Sequence, residues 1–303
     1  MKKKSKLLKG YIFVILSGVL FGLMPLMTKF IYADGVNALS IVFLRNAISL
    51  PLLGILAFLQ CGSLKVPPKA LPAITAVSLS GCCLTPFLLF LSYNYMASSA
   101  ATVLHFIYPA LVVIGATLFF NQKPRLGTIL SVVICLVGIC MFYEPGAALN
   151  VKGSIIALLS GLAYATYVLL LNEFKYKNIS GFLFSFYISL SSTVVLLVIC
   201  IVSGGLILPA TWRGWLFCLL LAIAVNIAAV VFFQKGTFLI GGQRAAILGA
   251  VEPLTGVVVG VLFLNEIITP LGWIGSFLVI SAGVLLASFD AARAKKEEKT
   301  EKV

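Results

Sequence analysis

Several polar side chains interrupt apolar stretches of this sequence, and one of them is a carboxyl group. Glu252 precedes Pro253 in "AVEPLTGVVVGVLFLNE", residues 250–266. A carboxyl inside a membrane is tolerated either protonated, or ionised beside a cation or several hydrogen-bond donors. Pro253 lacks an N–H, so we expect the carbonyl of Gly249 to lose its helical partner. Glu252 could bind a substrate amino group or a coupling proton; alternatively, it only bonds a neighbouring helix.

Other polar and aromatic residues could bind the same solute. Tyr164 and Tyr167 lie three residues apart, so they share a helix face and either line a cavity or pack between helices. Arg45 either snorkels to the interface or attracts an anionic group such as a carboxylate. His105 and Asn226 could contact the solute or bond a neighbouring helix. The predicted substrate-binding residues are Arg45, His105, Tyr108, Tyr164, Tyr167, Asn226 and Glu252.

The sequence contains few of the residue combinations that catalysis requires. An intramembrane enzyme needs a nucleophile with its base, clustered acids or metal ligands. The chain has a single histidine, and its seven cysteines show no metal-ligand spacing. It also lacks a phosphate-binding Gly-Lys-Ser/Thr loop. We therefore predict no catalytic residue, no metal and no cofactor.

The elements that carry these residues are membrane helices. Of the residues, 61% are hydrophobic and 10% are charged, whereas about a quarter are charged in soluble domains. Apolar stretches of about 20 residues recur, each long enough to span a bilayer core as a helix, and the period-2 alternation of barrel strands is absent. The ten predicted spans are residues 10–32, 37–60, 71–93, 98–120, 125–143, 152–172, 180–203, 213–235, 244–264 and 270–290.

The sequence contains an internal repeat. "KGYIFVILSGVLFG" at 9–22 matches "KGSIIALLSGLAYA" at 152–165, and "IYPALVVIGATLFFNQ" at 107–122 matches "VEPLTGVVVGVLFLNE" at 251–266. A repeated unit with an odd number of helices enters the membrane from opposite sides. We therefore predict an all-α membrane protein with ten transmembrane helices as two inverted five-helix repeats, the typical build of secondary transporters. The predicted units are residues 1–147, residues 148–290 and a charged tail at 291–303.

Basic residues indicate the orientation. Of the 22 Lys and Arg residues, 18 lie in segments that share one side if the N-terminus is cytoplasmic, as the positive-inside rule requires. Both termini and the loop holding Lys123 and Arg125 are therefore predicted to be cytoplasmic, and the loop after Glu266 is predicted to face outward. The net charge of +13 follows from this topology and from attraction to anionic lipid, so no nucleic-acid partner is needed.

The pattern as a whole resembles a known family. Two inverted five-helix repeats, "FLR" at 43–45, and the Pro-to-"FNQ" and Pro-to-"LNE" ends of the fourth and ninth spans are similar to the EamA-type branch of the drug/metabolite transporter superfamily. The resemblance covers residues 8–290. It implies an inner-membrane carrier, usually an exporter, with a central cavity lined by both repeats. Where the family commonly has Gly-Glu, this chain has Asn121-Gln122 and Asn265-Glu266, so the first acid is missing.

Together these observations predict a secondary transporter that moves a small organic solute across the inner membrane. The solute is an amino acid, a related metabolite or a drug, and the carrier is expected to export it by alternating access. Its expected partners are that solute and the lipid bilayer, with protons as a candidate coupling ion. The alternatives are an intramembrane enzyme, a channel and a transport-inactive membrane sensor.

Overall fold

The computed structural model describes residues 2–96, 98–122, 124–141, 150–175, 179–264, 270–271, 273–275, 277–278, 280–285 and 288–289. Every regular element in these residues is helical. The α-helices are α1 (Lys2–Gly22), α2 (Met24–Ala33), α3 (Ala38–Cys61), α4 (Leu71–Ser78), α5 (Thr85–Ser92), α6 (Ser98–His105), α7 (Tyr108–Phe120), α8 (Leu126–Cys140), α9 (Val151–Asn172), α10 (Gly181–Ser203), α11 (Trp212–Leu220), α12 (Val230–Ile240), α13 (Gly242–Leu248) and α14 (Val251–Leu264). A short 3-10 turn covers Pro68–Ala70, and π-helical stretches cover Leu79–Leu84 and Leu221–Ala229.

The helices confirm the predicted all-helical membrane class. Within the described residues, seven helical segments, some of which join consecutive elements, are long and apolar enough to cross a bilayer: Lys6–Ala33, Ala38–Cys61, Pro68–Ser92, Val151–Asn172, Gly181–Ser203, Trp212–Ile240 and Gly242–Phe263. Two shorter apolar helices cover Tyr108–Phe120 and Leu126–Gly138, and the described residues between Trp273 and Leu285 are also helical and apolar. The fourth predicted span is divided between α6 and α7. The count of ten spans therefore stays a prediction.

The outer surface of the bundle is apolar. Phe119 and Leu59 are each 76% exposed and Val202 is 83% exposed. In water such a surface would drive aggregation, but lipid chains provide an apolar surrounding at no such cost. The exposed leucine, valine and phenylalanine side chains are thus explained by a multi-pass membrane protein.

Two helix breaks lie at corresponding places in the predicted repeats. α6 and α7 are separated at Phe106–Ile107, and α13 and α14 at Gly249–Ala250. Pro109 and Pro253 lie in the first turns of α7 and α14, where a missing N–H costs no helical bond. The carbonyl of Gly249 is nevertheless satisfied, because the N–H of Glu252 donates to it at 2.9 Å. The expectation of a free acceptor at Gly249 is wrong, since the chain tightens there into a three-residue turn.

Each break is covered by a helix from the other predicted half. A Cβ atom added to Gly18 of α1 would lie 3.1 Å from the Cβ of Val251 and 3.3 Å from the backbone nitrogen of Glu252. A Cβ added to Gly161 of α9 would lie 2.5 Å from the carbonyl oxygen of His105. Gly18 and Gly161 also occupy matching positions in the sequence repeat. The two halves are therefore interlocked, with α1 on the α13–α14 break and α9 on the α6–α7 break.

A polar contact joins α2 to α11. The carboxylate of Asp34, just after α2, accepts a hydrogen bond from the backbone N–H of Thr211 at 3.0 Å. This bond holds the pKa of the Asp34 carboxyl below its usual value. The Thr211 hydroxyl caps α11 by accepting from the N–H of Gly214 at 3.3 Å. Gly214 must be glycine for this approach, because an added Cβ would collide with the Asp34 carboxylate.

A second polar contact joins the ends of α7, α9 and α13. Gln122 donates from Nε2 to Oε1 of Glu173 at 2.9 Å, and Asn172 donates to the same oxygen at 2.7 Å. The N–H of Gly242 donates to Oδ1 of Asn172 at 2.7 Å. A glutamate at position 122, as in the family pattern, would place two carboxylates together. The glutamine at this position is thus explained by Glu173.

Some of the predictions made from the sequence concern other parts of the chain. The loop residue Lys123, the Asn265-Glu266 pair and the charged tail at 291–303 lie outside the described residues.

Candidate functional site

A cavity lies where helices of both predicted halves meet. Its enclosed volume is about 30 Å³, and the empty space reaches about 450 Å³ only when the open mouth is counted. The lining residues are Phe21, Met24, Arg45, Gly81, Cys82, Thr85, Pro86, Leu89, His105, Tyr164, Tyr167, Val230 and Glu252. Five of the seven predicted substrate-binding residues therefore share one cavity.

Arg45 lies inside the protein and not at the interface. It is 3% exposed, and among the described residues the one acceptor of its Nη1 is the sulfur of Met24, at 3.8 Å. Its Nε atom is buried with no hydrogen-bond partner in the part of the chain that the structure describes. The snorkelling interpretation is therefore wrong: the side chain leaves α3 toward the bundle centre, where Met24 covers it. Such a buried, unpaired guanidinium is costly unless a ligand or water meets it.

Glu252 faces the same cavity from the first turn of α14. It is 7% exposed. Within the described residues, its carboxyl group has no side-chain hydrogen bond and no ion pair. Arg45 is not its partner, although both residues line the cavity. A guanidinium group and a carboxyl group thus face one space without pairing with each other.

An aromatic cluster forms one wall of the cavity. Tyr164 of α9 is at its centre, with ring centroids of Tyr108 at 4.5 Å, Tyr167 at 5.4 Å and His105 at 5.5 Å. Phe233 of α12 extends the cluster, 5.6 Å from Tyr164. The arrangement of Tyr108 against Tyr164 is edge-to-face, as aromatic quadrupoles favour. The rings reach the cavity through Tyr164, Tyr167 and His105.

Tyr108 packs behind this wall. Its side chain is fully buried, and its hydroxyl has no hydrogen-bond partner among the described residues. An added Cβ on Gly249 would collide with that hydroxyl, so Tyr108 lies against the α13–α14 break. Tyr108 therefore supports Tyr164 and His105 and is not itself a lining residue.

Asn226 lies apart from the cavity, in a buried polar cluster. Its Nδ2 donates to the hydroxyl oxygens of Ser49 at 2.7 Å and Ser189 at 3.1 Å, and to Oδ1 of Asn46 at 3.3 Å. Asn46 in turn donates to the carbonyl of Cys82 at 3.2 Å. Asn226 thus connects α3, α10 and both π-helical stretches. This geometry gives its predicted contact with the solute no support.

The sequence alone did not point to the cavity-lining residues in the first π-helical stretch and directly after it. Gly81, Cys82 and Thr85 are small, and nothing in their types distinguishes them from packing residues. The one residue type there that signals an irregular helix is Pro86, which lies in the first turn of α5. π-helical stretches are frequent at functional sites, but a single sequence does not reveal them.

Comparison with known proteins extends these observations. The model of the EamA-like transporter family matches residues 8–143 and again residues 151–289. An uncharacterized transporter of Archaeoglobus fulgidus is 28% identical over 280 residues, which are 90% of this chain and 94% of that protein. The uncharacterized transporter YcbK of Bacillus subtilis is 25% identical over 287 residues, with 90% and 91% of the two chains covered.

Two further comparisons are consistent with these matches to transporters. The uncharacterized inner membrane transporter YicL of Salmonella typhimurium is 28% identical over 211 residues, which are 65% of this chain and 66% of that protein. A protein of known crystal structure has the same fold, with a TM-score of 0.73 over 94% of this chain and 98% of that chain at 17% identity. The relatives' names indicate a membrane transporter and argue against an enzyme. Because the family model matches twice and covers most of the sequence, the chain belongs to the EamA-like transporter family.

Proposed function

We propose that this protein is a secondary transporter that exports a small zwitterionic solute, such as an amino acid, across the inner membrane by alternating access. The observation that carries the proposal is the pair Arg45 and Glu252, which face one cavity without forming an ion pair. Both termini are proposed to be cytoplasmic, with the two halves inverted in the membrane.

The unpaired charges favour a ligand that carries both signs. A buried ion that is left unpaired costs several kcal/mol. A carboxylate on the solute would accept from the guanidinium of Arg45, and an ammonium group would donate to Glu252. A solute with only one charge leaves the other protein group unpaired. The cavity should therefore bind a zwitterion better than either singly charged analogue.

The surroundings of the charges suit a solute with an organic side chain. Tyr164 and Tyr167 offer ring faces and hydroxyl groups beside the two charges. Phe21 and Leu89 add apolar surface. Few polar groups placed in a largely apolar lining are the usual composition of small-molecule sites.

Alternating access is supported by the way the two halves meet. The cavity is lined by residues of both halves, and each broken helix packs on a helix of the other half. Inverted repeats in transporters rock around a site near the midplane. The breaks at Phe106–Ile107 and Gly249–Ala250 are places where the backbone can bend without losing regular helical bonds.

The proposal is tested by counterflow in liposomes that contain the purified protein. Liposomes loaded with each amino acid in turn should accumulate the labelled amino acid that the protein carries. Its amide, which lacks the carboxylate, and its N-acetyl form, which lacks the ammonium, should compete at least about 30-fold more weakly, corresponding to ~2 kcal/mol for one unpaired charge. Equal competition by all three compounds would overturn the zwitterion assignment.

Variants then assign the two charges. Glu252→Gln should weaken competition by the amino acid and should make the N-acetyl form compete better relative to the amide than it does in the wild type. Arg45→Gln should make the amide compete better relative to the N-acetyl form. Glu173→Gln and Arg213→Gln, which remove the same charges away from the cavity, are the matched controls. If Glu252→Gln transports at the wild-type rate with unchanged pH dependence, Glu252 binds neither an amino group nor a coupling proton.

A further inference from the structure

We infer that Ser160 is a positioning residue that fixes the tautomer of His105, so that Nε2 of His105 meets the cavity as a hydrogen-bond acceptor. The structural part of this inference stands alone. Its consequence for the solute rests on the proposed transport function.

The hydrogen bonds around Ser160 leave one arrangement of protons. Its Oγ lies 2.7 Å from the carbonyl oxygen of Ala157 and 2.8 Å from Nδ1 of His105. A serine hydroxyl has one hydrogen, and a carbonyl oxygen only accepts. If the hydroxyl donated to Nδ1, two oxygen atoms would face each other at 2.7 Å with no hydrogen between them. The hydroxyl therefore donates to Ala157, and Nδ1–H of His105 donates to the hydroxyl.

This arrangement decides what the other ring nitrogen can do. A neutral imidazole carries one N–H, so a proton on Nδ1 leaves a lone pair on Nε2. No acid among the described residues contacts the ring, and a charge on it would be buried and unpaired. The ring of His105 lines the cavity, and Nε2 forms no hydrogen bond with the part of the chain that is described. Nε2 is thus available as an acceptor.

The acceptor adds a third requirement for the solute. Arg45 offers hydrogen-bond donors to the solute, and Glu252 offers a carboxyl group. Nε2 of His105 adds an acceptor, which favours a solute with an N–H or O–H donor at that position. Sites built to bond a polar group reject analogues that lack it, because the protein atom is left unpaired. The solute should therefore present a donor on the α6 side of the cavity.

The sequence repeat offers a matched control for Ser160. Ser17 occupies the corresponding position in α1, is equally buried, and donates to the carbonyl of Ala229 at 2.8 Å. It has no imidazole partner. Ser17→Ala removes the same hydroxyl from the same kind of helix, so it reports the structural cost alone.

Nitrogen NMR tests the tautomer directly, because His105 is the only histidine in the chain. The protein is purified without a histidine tag, after labelling of the histidine ring with ¹⁵N, and needs no solute. A protonated, pyrrole-type signal for Nδ1 and an unprotonated, pyridine-type signal for Nε2 are expected near neutral pH. A pyrrole-type Nε2 in the wild-type protein, or two protonated nitrogens, would overturn the inference whether or not any variant folds.

The variants separate positioning from structure. Ser160→Ala should shift the two nitrogen signals toward each other as the N–H moves to Nε2, whereas Ser160→Thr, which keeps a hydroxyl, and Ser17→Ala should retain the wild-type signals. In amino-acid counterflow, Ser160→Ala should raise KM about tenfold, as the loss of one hydrogen bond predicts, with Vmax little changed. An unchanged NMR spectrum in Ser160→Ala would refute the role of Ser160. A protein that transports no amino acid would refute the proposed function and leave the NMR result to decide the tautomer.

Discussion

Replacing Gly81 by alanine should push Tyr167 out of its position in the cavity wall. Gly81 lies in the first π-helical stretch, directly under the ring of Tyr167. A Cβ at this position would lie 2.5 Å from Cγ and 2.7 Å from Cε2 of Tyr167, and would collide with Cδ2. Carbon atoms attract each other at roughly 3.5–4.0 Å, so the ring must move by about 1 Å.

The size of the effect follows from that overlap. Overpacking of a buried site costs about 1–3 kcal/mol, and each 1 kcal/mol corresponds to about 1.6 °C in melting temperature for a chain of 303 residues with an unfolding entropy of about 2.1 cal/mol/K per residue. Gly81→Ala should therefore lower the melting temperature of the detergent-purified protein by roughly 2–5 °C. It should also weaken transport, because Tyr167 lines the cavity.

Gly256 is the matched control. Among the described residues, an added Cβ there would meet only the carbonyl oxygen of Gly22, at 3.9 Å. Gly256→Ala should leave the melting temperature unchanged or raise it, because alanine favours a helix by about 1 kcal/mol over glycine. Gly81→Ala should also be nearly neutral when Tyr167 is already alanine. If Gly81→Ala and Gly256→Ala melt and transport alike, the close approach of Gly81 to Tyr167 is refuted.

Three further predictions concern the ends of the helices. Single cysteines at the loops after Gln122 and Glu266, in a cysteine-free protein, should react with an impermeant thiol reagent from opposite sides of the membrane; labelling from the same side would refute the inverted repeat. Gln122→Glu should lower the melting temperature by facing Glu173 with a second carboxylate, and Glu173→Gln should restore it; a melting temperature unchanged by Gln122→Glu would contradict the contact. The pKa of Asp34 is lowered in the folded state, so its contribution to stability is present above the usual aspartate pKa of about 3.9 and is lost as the pH falls through the lower folded-state value. The melting-temperature difference between the wild type and Asp34→Ala should therefore shrink between about pH 4 and pH 2, and a difference independent of pH would exclude the bond to Thr211.

The class of the molecule could be read from the sequence because hydropathy and spacing are local. A stretch such as residues 180–203 is apolar over the length of a bilayer core, and that property needs no knowledge of its neighbours. The repeat was visible for the same reason, since Pro109 and Pro253 stand in matching stretches. The family match at residues 8–143 and 151–289 agrees with that duplication.

The site depended on information that a single sequence carries only in part. Residue types pointed to His105, Tyr164 and Glu252, because polar groups are rare in membrane helices and usually face the bundle interior. The sequence left two positions open for Arg45, because the depth of a residue along a helix gives its distance from water but not the neighbour toward which its side chain turns. Asn226 does not line the cavity, and its polar side chain instead forms hydrogen bonds within a buried cluster.

The sequence by itself thus determined that this chain is an all-helical membrane protein with an internal repeat, and it indicated which residues are costly to bury. Tertiary structure decided which of them meet. Arg45 and Glu252 face one cavity although they are far apart in the chain, and Ser160 reaches His105 only because Gly161 lets α9 approach the α6–α7 break. Such contacts depend on how helices rotate and pack against each other, and packing is a property of pairs of helices that no local pattern specifies.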